Sequence, residues 1–353
     1  DQYTPSDALK SLEYLRVASY GASQPNVKRQ IAVMQAEGLR MLGQSEEAGT
    51  VIRDALVQSK HADLYLAAAN LETLSEEKIG WINQALRHCG LSEVALRPAH
   101  EDELFDRLVP VGMNRTIHRG PKVTVIMPVY NAEGSIRTAL ESILSQTWTN
   151  LEVLVVDDCS KDSTAQIVRQ YKSRDHRVKL IMADANRGPY VARNLALQEA
   201  TGELVTCHDA DDWSHPEKIE RQVLHLLNNP NVIGNTSQQA RAKDDLTFYR
   251  RGRFGQYIFA NMSSFMFRRL PVMEMVGYWD SVRFGADSEF IRRIRICFGN
   301  RAIVDLETGP LSFQRQTAAS LTGNSSFGYH GYFMGARKEY YESFLDYHVK
   351  SRS

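Results

Sequence analysis

From about Gln24 to His88 apolar residues recur at helical spacing, with no strand-like alternation and few helix breakers, which predicts a run of packed helices. One segment, Gly43-Gln44-Ser45-Glu46-Glu47 through Ala55-Leu56, partly returns as Thr73-Leu74-Ser75-Glu76-Glu77 through Ala85-Leu86, at a 30-residue offset. Ser45 and Ser75 are the expected N-caps, and the glutamates fall in first turns, where the helix dipole favours negative charge. Small residues such as Ala48 and Ala55 allow close approach, so the pattern reads as paired antiparallel helices. From Leu96 to Pro121 it turns polar and irregular, punctuated by Pro98, Pro110, Gly112 and Gly120, as expected of a connector.

Beyond Pro121 the period changes. Short apolar runs begin at Val123, Leu151, Val178 and Glu203, spaced 25 to 28 residues apart. Each of the first three gaps holds a helix-like segment, for example Ile136, Ala139, Leu140, Ile143 and Leu144 on one face after the candidate cap Asn131. β-branched, near-continuous apolar strands alternating with helices predict a parallel sheet covered on both faces, and such sheets present ligands at the carboxyl ends of their strands.

Composition narrows the class. Lys plus Arg and Asp plus Glu number 42 each, so the formal net charge is zero and gives no electrostatic case for nucleic acid as a partner. The four cysteines, Cys89, Cys159, Cys207 and Cys297, form no C-x-x-C pair and suggest neither a zinc site nor a disulfide framework. No apolar run approaches the ~20 residues that cross a bilayer and no signal peptide opens the chain, so a soluble, cytoplasmic protein is expected. Asp1 in place of Met suggests a processed or excised piece.

Chemistry concentrates where the predicted strands end. Strand one runs into Pro128-Val129-Tyr130-Asn131, and strand two into Asp157-Asp158-Cys159-Ser160-Lys161-Asp162. Strand three is followed by Asn186-Arg187-Gly188-Pro189-Tyr190-Val191-Ala192-Arg193-Asn194, and strand four by His208-Asp209-Ala210-Asp211-Asp212. Three carboxylates in four residues repel one another unless a divalent cation sits among them, and Mg²⁺ or Mn²⁺ holding a diphosphate is the simplest occupant. A solvated acidic turn is the alternative for such a motif in isolation.

In this order and spacing, P-V-Y-N, V-D-D-x-S-x-D-x-T, N-x-G-x-x-x-A-R-N and D-A-D-D resemble the family-2 glycosyltransferases of the GT-A fold, from Val123 to about Thr322. The resemblance implies an α/β, Rossmann-like, mostly parallel sheet with helices on both faces. The preceding small all-α domain weakly resembles tetratricopeptide-like repeats, a candidate docking surface for a protein partner. The expected domains are 1–95 helical, 96–120 linker, 121–328 transferase and 329–353 a C-terminal aromatic amphipathic helix.

By the same resemblance Pro128, Tyr130 and Asp158 hold the base and ribose of a nucleotide-sugar donor, with UDP leading, and Asn186 belongs to the donor site. Arg193 neutralises diphosphate or ribose-proximal charge, a role its planar guanidinium fork suits, with a surface ion pair as its alternative, and Arg315 is a second helper at the diphosphate. Asp211 and Asp209 are the implied metal ligands for Mn²⁺ or Mg²⁺, and Asp212 meets the donor sugar or metal shell. Asp287 in Gly285-Ala286-Asp287-Ser288-Glu289 is the implied catalytic base, where many members carry Glu-Asp; Glu289 is second choice. Asn261 to Arg269 lines the acceptor side and Phe313 to Thr322 closes over the diphosphate.

The resemblance implies an inverting transfer to a hydroxyl of a glycan or lipid-linked glycan acceptor in bacterial surface polysaccharide synthesis. The Q-x-x-R-W signature of processive synthases is absent, which favours single additions. A sugar nucleotidyltransferase and an inactive transferase-like scaffold are the competing classes. The aromatic stripe from Tyr329 to Tyr347 is expected to pack on the enzyme's own body, with peripheral membrane contact as its alternative.

Overall fold

The computed structural model describes residues 4–98, 103–112, 115–316 and 334–350. The chain divides into two compact units, Asp1–Met113 together with Gln239–Phe259, and Asn114–Gln238 together with Ala260–Ser353. The first unit opens with five helices: α1 (Pro5–Gly21), α2 (Pro25–Met41), α3 (Ser45–Gln58), α4 (Ala62–Ala69) and α5 (Ser75–His88). Pro5 and Pro25 begin α1 and α2, where the missing N–H costs nothing. Thr4 and Asp7 form a reciprocal capping box at α1, each side chain bonding the other's backbone N–H. Ser45 and Ser75 are not the N-caps. They occupy the first helical turn, and the capping positions Gln44 and Leu74 supply no side-chain bond. The stretch expected as a connector contains a two-stranded antiparallel ribbon, β1 (Val94–Leu96) with β2 (Leu108–Pro110).

Next along the chain come β3 (Val123–Val129), α6 (Ile136–Leu144), β4 (Leu151–Asp157), α7 (Thr164–Arg174), β5 (Val178–Met182), α8 (Pro189–Glu199) and β6 (Leu204–Cys207), alternating as the pattern predicts. There follow β7 (Trp213–Ser214), α9 (Lys218–Asn228), β8 (Gly234–Ala242), β9 (Phe248–Tyr249), β10 (Ile258–Arg268), α10 (Arg269–Met275), α11 (Ala286–Phe298), β11 (Ile303–Arg315) and α12 (Ala336–Lys350).

The sheet order is β5-β4-β3-β6-β10-β8-β11-β7, with β9 paired to β8. Strands β5, β4, β3 and β6 are mutually parallel, whereas β10 runs antiparallel to β6 and β7 antiparallel to β11. The expected parallel sheet is therefore one half of a mixed one. Alternation sorts the central strands between two cores. Val125, Met127, Val153 and Val155 pack with Ile136, Leu140 and Ile143 of α6 and with Ile219 and Val223 of α9. On the other face Ile126, Leu154 and Val156 pack with Tyr190, Ala196 and Leu197 of α8 and Phe290 and Ile294 of α11. Burial on both faces explains why β3 and β4 read as unbroken apolar runs.

Residues 239–259, within the span expected to be transferase, group with the helices. Asp63 of α4 accepts from the backbone N–H of Tyr257 (2.9 Å) and Ile258 (3.0 Å). Asn70 brackets Phe248, donating to its carbonyl at 3.0 Å and accepting from its N–H at 2.6 Å. Glu37 of α2 takes the Tyr257 hydroxyl (2.6 Å) and Arg250 (2.5 Å), and the buried Lys78 of α5 donates to the Asp245 carbonyl at 2.9 Å.

At the other end of the chain α12 packs on α11. Tyr340 donates to Asp280 at 2.7 Å, His348 meets Glu289 at 3.1 Å, and Phe344 is buried, while Tyr341 and Tyr347 stay exposed. Tyr329, Tyr332 and Phe333 of the aromatic stripe lie outside the described residues. No helix among the described residues is long and apolar enough to cross a membrane.

Candidate active site

Strand register brings the sequence motifs together. Val129 pairs with Asp157 and Ile126 with Cys207, so the loops after β3, β4 and β6 open at one edge of the sheet. The first two are laced by hydrogen bonds. Asn131 donates its N–H to Ser160 Oγ (3.0 Å) and accepts from Lys161 N–H at 2.8 Å, and Ala132 N–H reaches Thr164 Oγ1 at 2.7 Å. Asn131 is thus a loop tie rather than the cap of α6, which is preceded by Ser135. This leaves Tyr130 48% exposed beside the half-buried Pro128, presenting an aromatic face at the rim.

Asp158 is buried, and both its oxygens are engaged. They accept from the N–H groups of Arg187 (2.9 Å) and Gly188 (2.8 Å), shaping the turn into α8, where Gly188 stands at φ 93°. Each oxygen keeps a second lone pair for a ligand. Asn186 donates to the Asp158 carbonyl at 3.1 Å and accepts from Arg283 at 3.0 Å, so its side chain braces the same turn.

From that turn α8 carries Tyr190 and Arg193, three residues apart and therefore on one face. Tyr190 donates its hydroxyl to Asp287 Oδ2 at 2.9 Å. Arg193 donates Nη1 to Asp287 Oδ1 at 2.6 Å and Nη2 to Asp209 Oδ1 at 3.2 Å, and its guanidinium lies 5.0 Å from the Tyr190 ring centroid. Asp287 sits in the first turn of α11, after Gly285 in the left-handed region. Burial pushes its carboxyl above the usual range, and Asp209 adds to that, while Arg193 and the Tyr190 hydroxyl pull the other way. Tyr190 was missed in the sequence, although its position one turn before Arg193 was a signal for it.

Asp209 and Asp211 are half-buried and Asp212 is buried. Asp212 accepts from Gln314 Nε2 (2.8 Å) and from the backbone N–H of Arg315 (3.1 Å), tying the acidic loop to β11. Residues 317–322 of the expected closing loop lie outside the described residues. Asn261, on the expected acceptor strand, is buried and meets Gln314 at 3.4 Å. Glu289 is removed from the cleft chemistry, being buried between Arg293 (2.6 Å) and His348. Trp213 and Trp279 are also buried, stacked on Phe313 and Phe290, and are scaffold. Under the acidic loop lies Lys218, with its Nζ 3.2 Å from Ser214 Oγ; no sequence pattern marked it.

Among the described residues no three of His, Cys, Asp and Glu converge into a complete cation cage. Asp209 and Asp211 instead suit a hard cation that takes one or two carboxylates and fills its remaining positions with phosphate and water oxygens, as Mg²⁺ does.

The mixed sheet with helices on both faces is a GT-A-type fold. Residues 124–344 match the model of glycosyl transferase family 2, and the chain belongs to that family. It is 36% identical over 124 residues to a putative teichuronic acid biosynthesis glycosyltransferase, TuaG, of Bacillus subtilis, covering 35% of this chain and 49% of that protein. An uncharacterised glycosyltransferase of Haemophilus influenzae is 38% identical over 113 residues, 32% of this chain and 45% of the relative. The succinoglycan biosynthesis protein ExoO of Rhizobium meliloti is 27% identical over 225 residues, 58% and 64% of the two chains. The chain thus spans less than two thirds of these relatives. Among solved structures it is similar to Staphylococcus aureus TarS 1–349 at 25% identity and a TM-score of 0.47, over 55% of this chain and 60% of that one.

Proposed function

We propose that the protein is an inverting glycosyltransferase that moves a sugar from a nucleotide-diphosphate donor, a UDP-sugar foremost, to a hydroxyl of a glycan or lipid-linked glycan. The observation that carries this reading is the convergence of Asp287, Arg193 and Asp209 at the carboxyl edge of the sheet. Two relatives named for teichuronic acid and succinoglycan biosynthesis support a role in bacterial surface polysaccharide assembly.

In this reading Tyr130 and Pro128 flank the nucleoside, and Asp158, already holding the β5–α8 turn, offers its remaining lone pairs to the base. Asp211 and Asp209 would hold Mg²⁺ or Mn²⁺ at the diphosphate site, and Arg315 of β11 would face the same phosphates. When bound, the cation supplies charge stabilisation to the departing diphosphate. The acceptor oxygen attacks C1 of the sugar on the face opposite the nucleotide; the C1–O bond to the diphosphate breaks, and the acceptor proton passes to Asp287. The base must be ionised; burial pushes its pKa up, and Arg193 and the Tyr190 hydroxyl favour the ionised form against that push.

Calorimetric titration of nucleoside diphosphates and UDP-sugars, with and without Mn²⁺, tests the assignment on the wild type and Asp211→Ala. Metal-dependent binding of one nucleotide, lost in the variant, is expected. If no nucleotide binds under any metal condition, the donor site is wrong. Asp287→Asn is expected to slow transfer by about 10²- to 10⁴-fold while the fold is retained, read by product formation from the donor that binds.

A further inference from the structure

Arg193 stands in an unusual position for a residue expected to meet phosphate. It is 4% exposed, and its two Nη groups are committed to carboxylates on different elements, Asp287 on α11 and Asp209 after β6. Its Nε is buried without a hydrogen-bond partner, and the Tyr190 ring covers its face at 5.0 Å. So enclosed, the guanidinium has little room to swing toward a ligand. Its charge is fixed across all accessible pH, and the planar fork allows it to serve two carboxylates at once. Both carboxylates are partly shielded from water, so a change of charge at one alters how firmly the shared guanidinium is held by the other.

The two carboxylates belong to the two halves of the proposed reaction. Asp209 accepts from Arg193 through Oδ1, so a cation drawn to that carboxylate would compete with the guanidinium for its charge. Weakening that bond leaves the Nη1 bond to Asp287 the stronger of the two, favouring the ionised form that accepts the acceptor's proton. We propose that Arg193 is a positioning residue that couples the half-sites, so that cation–nucleotide occupancy at Asp209 and the negative charge of Asp287 stabilise each other. This inference rests on the donor-site reading above. It assigns Arg193 to communication between the half-sites rather than to phosphate contact.

Coupling of this kind is reciprocal, and so it can be read by binding alone. Asp287→Asn removes a charge from the acceptor half without touching the cation site. With Arg193 left wholly to Asp209, affinity for Mn²⁺ with UDP is expected to fall by about tenfold, within the usual span of site-to-site coupling. A through-space effect of the lost charge would act whether or not Arg193 is present, so the same substitution is placed in Arg193→Lys and Arg193→Gln backgrounds. The first keeps the charge without the fork and the second keeps neither, and thermal melting shows which variants fold.

If the Asp287→Asn penalty shrinks to about twofold or less once Arg193 is replaced, the coupling holds. An equal penalty in both backgrounds, or none in the wild type, overturns it while leaving the donor site standing. Failure of the wild type to bind any metal–nucleotide pair removes the donor-site reading itself, and the coupling with it.

Discussion

Lys218 opens α9 with its ammonium buried at a helix end whose dipole repels cations. Burial pulls its pKa down to about 8, against the opposing pull of Asp212 and Asp209. Between that value and its ordinary 10.5 the unfolded chain holds a proton that the folded chain has released, so this group makes stability rise with pH across that window. Lys218→Met is expected to remove that rise, measured as the difference in urea midpoints at pH 8 and pH 10. Tyr190→Phe keeps the ring against Arg193 and deletes one donor to Asp287. Because the hydroxyl favours the ionised carboxylate, its loss is expected to move the acid limb of kcat to higher pH, read from a pH–rate profile. The same neighbourhood shows what sequence can and cannot carry. Asp287, Arg193 and Asp209 were visible as motif members, yet nothing in the string said that one guanidinium joins the other two. Asp158 and Asn186 were also marked from their motifs, but their bonds to the α8 turn are tertiary facts.

At the scale of elements, β3 to β6 could be read because strands buried on both faces are apolar throughout. Strand β8 escaped that logic. Gly-Asn-Thr-Ser-Gln-Gln-Ala-Arg-Ala is almost wholly buried yet mostly polar. Asn235 exchanges bonds with Gln222 at 2.9 and 3.1 Å, Thr236 reaches Asp305 at 2.6 Å, and Ser237 N–H reaches Ser264 Oγ at 2.8 Å. A strand whose polar side chains are largely bonded to other elements has no hydrophobic period to detect. The 239–259 excursion was hidden for a similar reason, since its anchors are single polar residues on distant helices. Its tightest point is Gly255 at φ 55°, where an added Cβ would stand 2.3 Å from the Gln30 carbonyl oxygen. Gly255→Ala combines a disfavoured backbone with a backbone clash. It is expected to destabilise the first unit by about 1 to 3 kcal/mol, read by hydrogen exchange at α2 and α4.

For the whole molecule, the division into units is not a division of the chain. The backbone passes between them at three places, after residues 113, 238 and 259. A fragment beginning at residue 115 would keep Phe248, Tyr257 and Phe259, all buried in the intact chain, without the helices that supply their partners. Such a fragment is expected to bind an apolar dye and to aggregate where the full chain does not, seen by fluorescence and light scattering. The family was legible as a resemblance carried by its motifs, and the parallel half of the sheet from the alternation of strands and helices. Of the three crossings the first falls within the expected 96–120 linker, whereas those after 238 and 259 left no mark, because an insertion is silent when its composition resembles its surroundings.

Those crossings also bear on how the protein is made. When a ribosome has released the first 113 residues, all five helices exist as sequence, yet Asp63 lacks the amides it accepts from and Lys78 its carbonyl. The segment that supplies them is synthesised only after five strands and four helices of the other unit. Domains usually mature in the order in which they emerge. Here the unit that begins first has to wait, half assembled, until residue 259 leaves the tunnel.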